Sequence, residues 1–127
     1  MRSAKEVIIE TTKDGEFFIH LGDFLDYFYR SKHDIRQIMI DESPLSFKTM
    51  VSPYHLAFIA ATVHKLSNDF KLIVPEWVFD SACYLNGKNP YFTGNVKGNL
   101  RLLFLYLSPT EFKHRNLFVD ENVLKRV

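Results

Sequence analysis

Five histidines, three acidic pairs and a single cysteine are the side chains here with the types to do chemistry. His20, His33, His55, His64 and His114 suit metal ligation or proton transfer. No two of them stand four apart around a glutamate, the spacing that holds zinc on one helix face. His55 and His64 lie nine apart, about two and a half helical turns, so their rings point away from any shared ion. Structural or surface histidine is the expected reading. Asp23 with Asp26, Asp41 with Glu42, and Asp120 with Glu121 are the acidic pairs. Paired carboxylates do acid–base work when burial or repulsion separates their pKa values. These pairs fall where caps and solvated helix ends need acids anyway. Cys83, between Ala82 and Tyr84, reads as a small buried hydrophobe rather than a nucleophile. Gly94 to Asn99 holds two glycines and a lysine but lacks the phosphate-loop pattern. No catalytic residue, metal or cofactor is expected.

The densest polar cluster is Lys113-His114-Arg115-Asn116. It has the donors to grip a carboxylate, a phosphate or an acidic cleft. A solvated helix end would use the same residues to satisfy its last carbonyls. Phe118 and Leu124 lie near enough in sequence to add an apolar anchor, the combination that concentrates binding energy in an interface. Lys113, Arg115, Asn116, Phe118 and Asn122 are therefore the candidate partner-binding residues, on a surface spanning residues 112 to 124. In that arrangement Phe118 is the anchor, and Arg115 and Asn116 supply directional hydrogen bonds.

The elements that would position them read mainly as helix, in one domain over residues 1–127. Residues 5–20 are the exception. Val7 to Thr12 is rich in β-branched residues, Asp14-Gly15 is a tight-turn pair, and Phe17-Phe18-Ile19 resumes, which predicts a β-hairpin with Lys13 opposite Glu16. Residues 22–127 form the helical part. Gly22-Asp23 begins a helix carrying Phe24, Leu25 and Phe28; Ser31 opens the next, with Ile35, Ile38 and Met39 at helical spacing. Leu45 to Val51 holds a further turn. Ser52-Pro53 is a capping hydroxyl followed by proline at the first helical position. The helix it starts runs to about Phe70 and is apolar on most sides, which marks it as central. Val74-Pro75-Glu76-Trp77 begins a short helix, and residues 88–97 are an irregular connection. Asn99 caps a helix with Leu100, Leu103, Phe104 and Leu107 at i, i+3, i+4 and i+7. Ser108-Pro109-Thr110-Glu111 matches a capping box, and Asp120 caps a final turn. The fold class is mainly α, a compact helical bundle with an N-terminal β-hairpin.

Composition narrows the partners. The 127 residues suffice to bury roughly two-thirds of the unfolded surface. Twelve phenylalanines point to an aromatic-rich core. With 16 basic and 15 acidic residues the formal net charge is +1, without the basic excess of a dedicated nucleic-acid binder. A nucleic-acid partner is thus the weaker expectation. One cysteine rules out an internal disulfide framework and suits a reducing cytoplasm. The apolar runs are too short to span a bilayer, and no secretory leader pattern opens the chain. A cytoplasmic protein is expected, and association with a second copy stays open.

From Val74 onward the chain resembles a family of small, functionally uncharacterised bacterial proteins ending in R-N-I/L-F-V-x-x-N-x-L. The matching residues are Val74-Pro75-Glu76-Trp77, Pro90-Tyr91-Phe92, Leu100-Arg101, Ser108 to Phe112, and Arg115 to Leu124. The N-terminal half matches poorly. The resemblance implies a role in toxin–antitoxin-like gene pairs beside a nucleotidyltransferase-like protein, and carries over no catalytic residue. The expected function is therefore a non-catalytic protein-binding module, the antitoxin-like or regulatory member of such a pair, which occludes its partner. Two alternatives are a nucleic-acid-binding regulator and a small enzyme with His64, Asp69 or Glu76 converging in a pocket.

Overall fold

The structure is a computed structural model, and it describes residues 3–85, 91–92, 108–119 and 124. It is mainly helical. Helices α1 (Ala4–Asp14), α2 (Phe17–Arg30), α3 (His33–Asp41) and α4 (Pro53–Asp69) are followed by 3-10 turns at Glu76–Phe79 and Ser81–Cys83, and by a short helix α5 (Thr110–Lys113). A 3-10 turn at Leu45–Phe47 lies between α3 and α4. Strands β1 (Tyr91–Phe92) and β2 (Leu117–Phe118) pair in parallel, Tyr91 with Leu117 and Phe92 with Phe118.

The N-terminal β-hairpin expected at residues 5–20 is not there. Its first arm is α1 and its second is the start of α2. Ser3 is the N-cap of α1, and its hydroxyl accepts the Glu6 amide at 3.2 Å. Ala4, Val7, Ile8 and Thr11 recur at helical spacing and are all buried. The hydroxyls of Thr11 and Thr12 donate back to the carbonyls of Val7 and Ile9, so the β-branched run satisfies its polar atoms inside the helix. Gly15 closes α1 in the left-handed region (φ 75°), donating to the Thr11 carbonyl at 2.8 Å. The Asp-Gly pair is a helix stop here, not a strand turn. Lys13, expected opposite Glu16 across strands, pairs instead with Glu10 one turn away.

The second helix thus begins five residues before Gly22, which it buries along with Phe17, Leu21, Phe24, Leu25 and Phe28. Ser31 does not open α3. Its hydroxyl donates to the Tyr27 carbonyl, and α3 starts at His33. Arg36 on α3 caps the end of α2, donating from Nε to the Phe28 carbonyl (2.9 Å) and from Nη2 to that of Tyr29 (3.1 Å). Its guanidinium also lies over the rings of Phe28 and Phe70, so one cation joins α2, α3 and the end of α4.

Helix α4 is the central element, as its apolar faces require. Ser52 caps it, accepting from the Tyr54 amide, and Leu56 through Val63, Leu66 and Ser67 are buried. Phe17, Phe24, Phe28, Phe58 and Phe112 are all buried in the core around it. Among the described residues no helix is long and apolar enough to cross a membrane. Past α4, Gln37 exchanges hydrogen bonds in both directions with the backbone of Ile73. The Trp77 indole donates to the Ile40 carbonyl at 3.0 Å. These contacts seat the 3-10 turns on α3, where a short helix was expected. The helix expected after Asn99 and the turn expected at Asp120 lie outside the described residues, Leu124 apart.

Candidate functional site

The polar cluster at residues 113–116 sits on a turn that the structure holds from beneath. The amides of His114, Arg115 and Asn116 donate to the carbonyls of Thr110, Phe112 and Lys113 at 2.9–3.0 Å. Asn116 then takes a left-handed conformation (φ 61°), which its short amide side chain tolerates better than most residues. The chain turns there into β2. Ser108, expected to cap the following helix, is buried, and its hydroxyl exchanges 2.8 Å hydrogen bonds with both the amide and the carbonyl of Val119. Helix α5 has no side-chain cap at Pro109. Glu111, expected to reach back in a capping box, accepts from Asn68 on α4 at 2.8 Å instead.

Arg115 is the floor of this turn. It was expected on a docking face, yet it is 0% exposed. Nη2 donates to the Val78 carbonyl at 2.8 Å, and Nη1 to the Glu111 carbonyl at 3.0 Å and to His64 Nδ1 at 3.2 Å. The guanidinium carbon lies 4.6 Å from the centre of the Tyr84 ring. Its backbone carbonyl accepts from Leu85. Among the described residues no carboxylate stands within ion-pair distance of it, and Nε is buried without a partner. Burial lowers its pKa, opposed by Tyr84, Cys83 and Glu111. Arginine donates but never accepts, so the directional bonds expected to reach a partner are made within the chain. Of the other candidates, Lys113, Asn116 and Phe118 are half-buried, and Asn122 lies outside the described residues. His114, in the same turn, is exposed.

The contact with Arg115 also fixes the state of His64. Because the guanidinium donates, Nδ1 must be the acceptor and the proton of the neutral ring sits on Nε2. In that tautomer the ring offers a donor outward, not a base. Burial first, then Arg115 and His114, lower its pKa, while Glu111 pulls the other way. The enzyme alternative needed His64, Asp69 or Glu76 to converge. Asp69 is exposed and ion-paired with Lys65 at 2.8 Å, and Glu76 is exposed on its 3-10 turn.

The remaining candidates are dispersed. His20 Nε2 lies 2.9 Å from both carboxylate oxygens of Asp14. His55 stacks on Phe17 with ring centres 4.5 Å apart, and burial lowers its pKa. His33 contacts the Lys71 carbonyl at 3.4 Å. Cys83 is buried, and burial pushes its thiol up to about 11, with Arg115 opposing and Asp80 assisting. It is a poor nucleophile at neutral pH. Among the acidic pairs, Asp41 accepts from Gln37 and Glu42 pairs with Lys5 at 3.4 Å. Both border an open hollow of about 300 Å³ that Ser3, Glu6 and Ile38 complete. Asp120-Glu121 and the Gly94–Asn99 stretch lie outside the described residues. Among the described residues no three histidine, cysteine or acidic side chains gather as a metal site would need.

The interior role of Arg115 had a signal in the sequence. It follows Phe112 by one helical turn and precedes Leu117 and Val119, all three buried. A residue so surrounded faces inward unless the chain twists it away. Comparison of the chain with family models, curated proteins and solved structures finds no match.

Proposed function

We propose that this chain is a non-catalytic protein-binding module, the antitoxin-like or regulatory member of a bacterial two-gene pair, and that it works by occluding a nucleotidyltransferase-like partner. The observation that carries the reading is the pinned turn at residues 113–118. A polar turn held from below by a fully buried guanidinium and by the Ser108–Val119 clamp loses little conformational freedom on docking, and preorganisation of that kind favours affinity. Lys113, His114 and Asn116 supply the polar part of the contact and Phe118 the apolar part. Arg115 acts as the pin beneath them rather than as a contact. Of the acid–base groups that a hydrolytic reading would need, Asp69 is paired with Lys65, Glu76 is exposed on its 3-10 turn, and His64 is held as a donor.

The test begins with the tagged full chain purified from its host, and the bound species identified by mass with and without nuclease. Affinity for the recovered protein is then compared with that of a Lys113→Ala, Asn116→Gly double variant. Glycine keeps the left-handed backbone at 116 while removing the amide. The expected result is a double variant that still unfolds cooperatively and a Kd raised about tenfold, equivalent to ~1.4 kcal/mol. Full affinity in the double variant would remove this turn as the docking surface. Nuclease-sensitive recovery of nucleic acid in place of a protein would replace the reading altogether.

A further inference from the structure

We infer that the His64–Arg115 contact is a proton-sensitive latch, and that protonation of the His64 ring loosens the segment Ser108–Val119 from α4. The inference stands apart from the docking reading and needs no partner.

The geometry is specific. His64 Nδ1 is an acceptor only while the ring is neutral. A proton on it sets an N–H and a positive charge against the Nη1 of Arg115, 3.2 Å away. Arg115 has little room to adjust. Its two Nη groups are committed to the carbonyls of Glu111 and Val78, the Tyr84 ring lies along its guanidinium, and the group is fully buried. On the histidine side, the ring is packed edge-on against Phe79 with centres 5.1 Å apart. Arg115 is bonded to the 3-10 turns and α5, and α5 continues into the turn that leads to Val119. Separation of the two cations therefore moves the segment rather than one side chain.

Other charged groups around His64 do not cancel this conflict. From α5 and its turn come Glu111, His114 and Arg115; from the 3-10 turns come Asp80, Cys83 and Tyr84, with Asp80 helping to keep the Cys83 thiol neutral; from α4 itself come Lys65 and Asp69, which are paired together. Glu111 is the group that favours a charged ring, but its carboxylate is engaged by Asn68 at 2.8 Å. Burial opposes ionisation of Glu111, yet Asn68, its own backbone amide, Lys65 and His64 outweigh it and keep the carboxyl below its ordinary range. Glu111 is thus held toward its ionised form, with its carboxylate engaged by Asn68 rather than by His64.

The sign follows from the lowered pKa of His64. The neutral ring contributes stability that is fully present above the ordinary histidine value of about 6.5 and is lost as pH falls through the lower folded value. His55 is lowered by burial too, but it is stacked on Phe17 in the α2–α4 contact, so its titration acts elsewhere.

Amide hydrogen exchange on the full chain at pH 7.5 and 5.0, corrected for intrinsic rates, separates the two effects. In the wild type, protection of residues 108–119 is expected to fall at least about threefold more than that of residues 17–30, within the bound of about tenfold per pH unit for one proton. In His64→Gln the side-chain oxygen accepts from Arg115 but takes no proton, and the excess loss should vanish. The same excess in His64→Gln, or none in the wild type, overturns the inference. A second measurement needs no variant: the amide resonances of residues 108–119 should titrate with the midpoint of the His64 ring nitrogens. Resonances that ignore that midpoint overturn it equally.

Discussion

A guanidinium with no carboxylate at ion-pair distance among the described residues is tolerated inside a protein only if most of its donors find other acceptors, and at Arg115 two backbone carbonyls and one imidazole nitrogen serve. Removing a partner from such a buried polar set costs more than the net worth of its bonds, because the groups left behind stay desolvated. Lysine cannot reproduce the fork. Arg115→Lys should therefore destabilise the chain by about 2 kcal/mol in urea titration. Arg115→Met, which strands both carbonyls, should cost about 3 kcal/mol. Loss of under about half a kilocalorie in either variant, the range of an ordinary surface change, would mean that the residue is a surface contact after all. The cation was legible in the sequence as a residue with a purpose, but its polar neighbours outweighed the spacing to Phe112, Leu117 and Val119 that marks it as interior. Lys113, His114 and Asn116 made it look like part of a solvated cluster. Its true partners include the carbonyl of residue 78 and the ring of residue 64. Carbonyls carry no residue-type signature, and separations of 37 and 51 positions have no local pattern.

At the scale of the element, α1 shows which local signals prevail when they disagree. Val7 to Thr12 has the composition of a strand, and Asp14-Gly15 the form of a hairpin turn. Against these stood Ser3 three residues ahead of Glu6, apolar residues at helical spacing, and a glycine placed where a helix ends. The caps and the periodicity decided the outcome, since propensity is a weak prior beside burial of a whole face. Ser3→Ala should cost about 1 kcal/mol and lower helical ellipticity near the N-terminus; an unchanged denaturation midpoint would show that packing on α2 alone sustains α1. The Ser-Pro pairs make a second comparison. Ser52-Pro53 caps α4 as its local pattern predicts. Ser108-Pro109 has the same pattern, yet its hydroxyl is bound to Val119, eleven positions on. Only the first outcome is set by neighbours in sequence.

Over the whole molecule, the mainly helical character and the central place of α4 were legible because both rest on apolar periodicity. The seating of the C-terminal segment was not, because it depends on polar contacts between distant residues. That division has a kinetic consequence. Helices α1 and α2 meet across a two-residue connection, so their contacts close a short loop at small entropic cost. The clasp of Arg115 on His64 and Val78 must wait for residues far apart along the chain to come together, and distant contacts of this kind form slowly. Weakening a bond absent from the transition state speeds escape from the native state and leaves the approach to it nearly unchanged. In a chevron plot, the ~2 kcal/mol lost in Arg115→Lys should appear as an unfolding limb raised about thirtyfold over an almost unmoved refolding limb. A refolding limb that falls instead would place the turn at residues 113–118 in the nucleus, and would make assembly of α1 and α2 wait on a segment some ninety positions further along the chain.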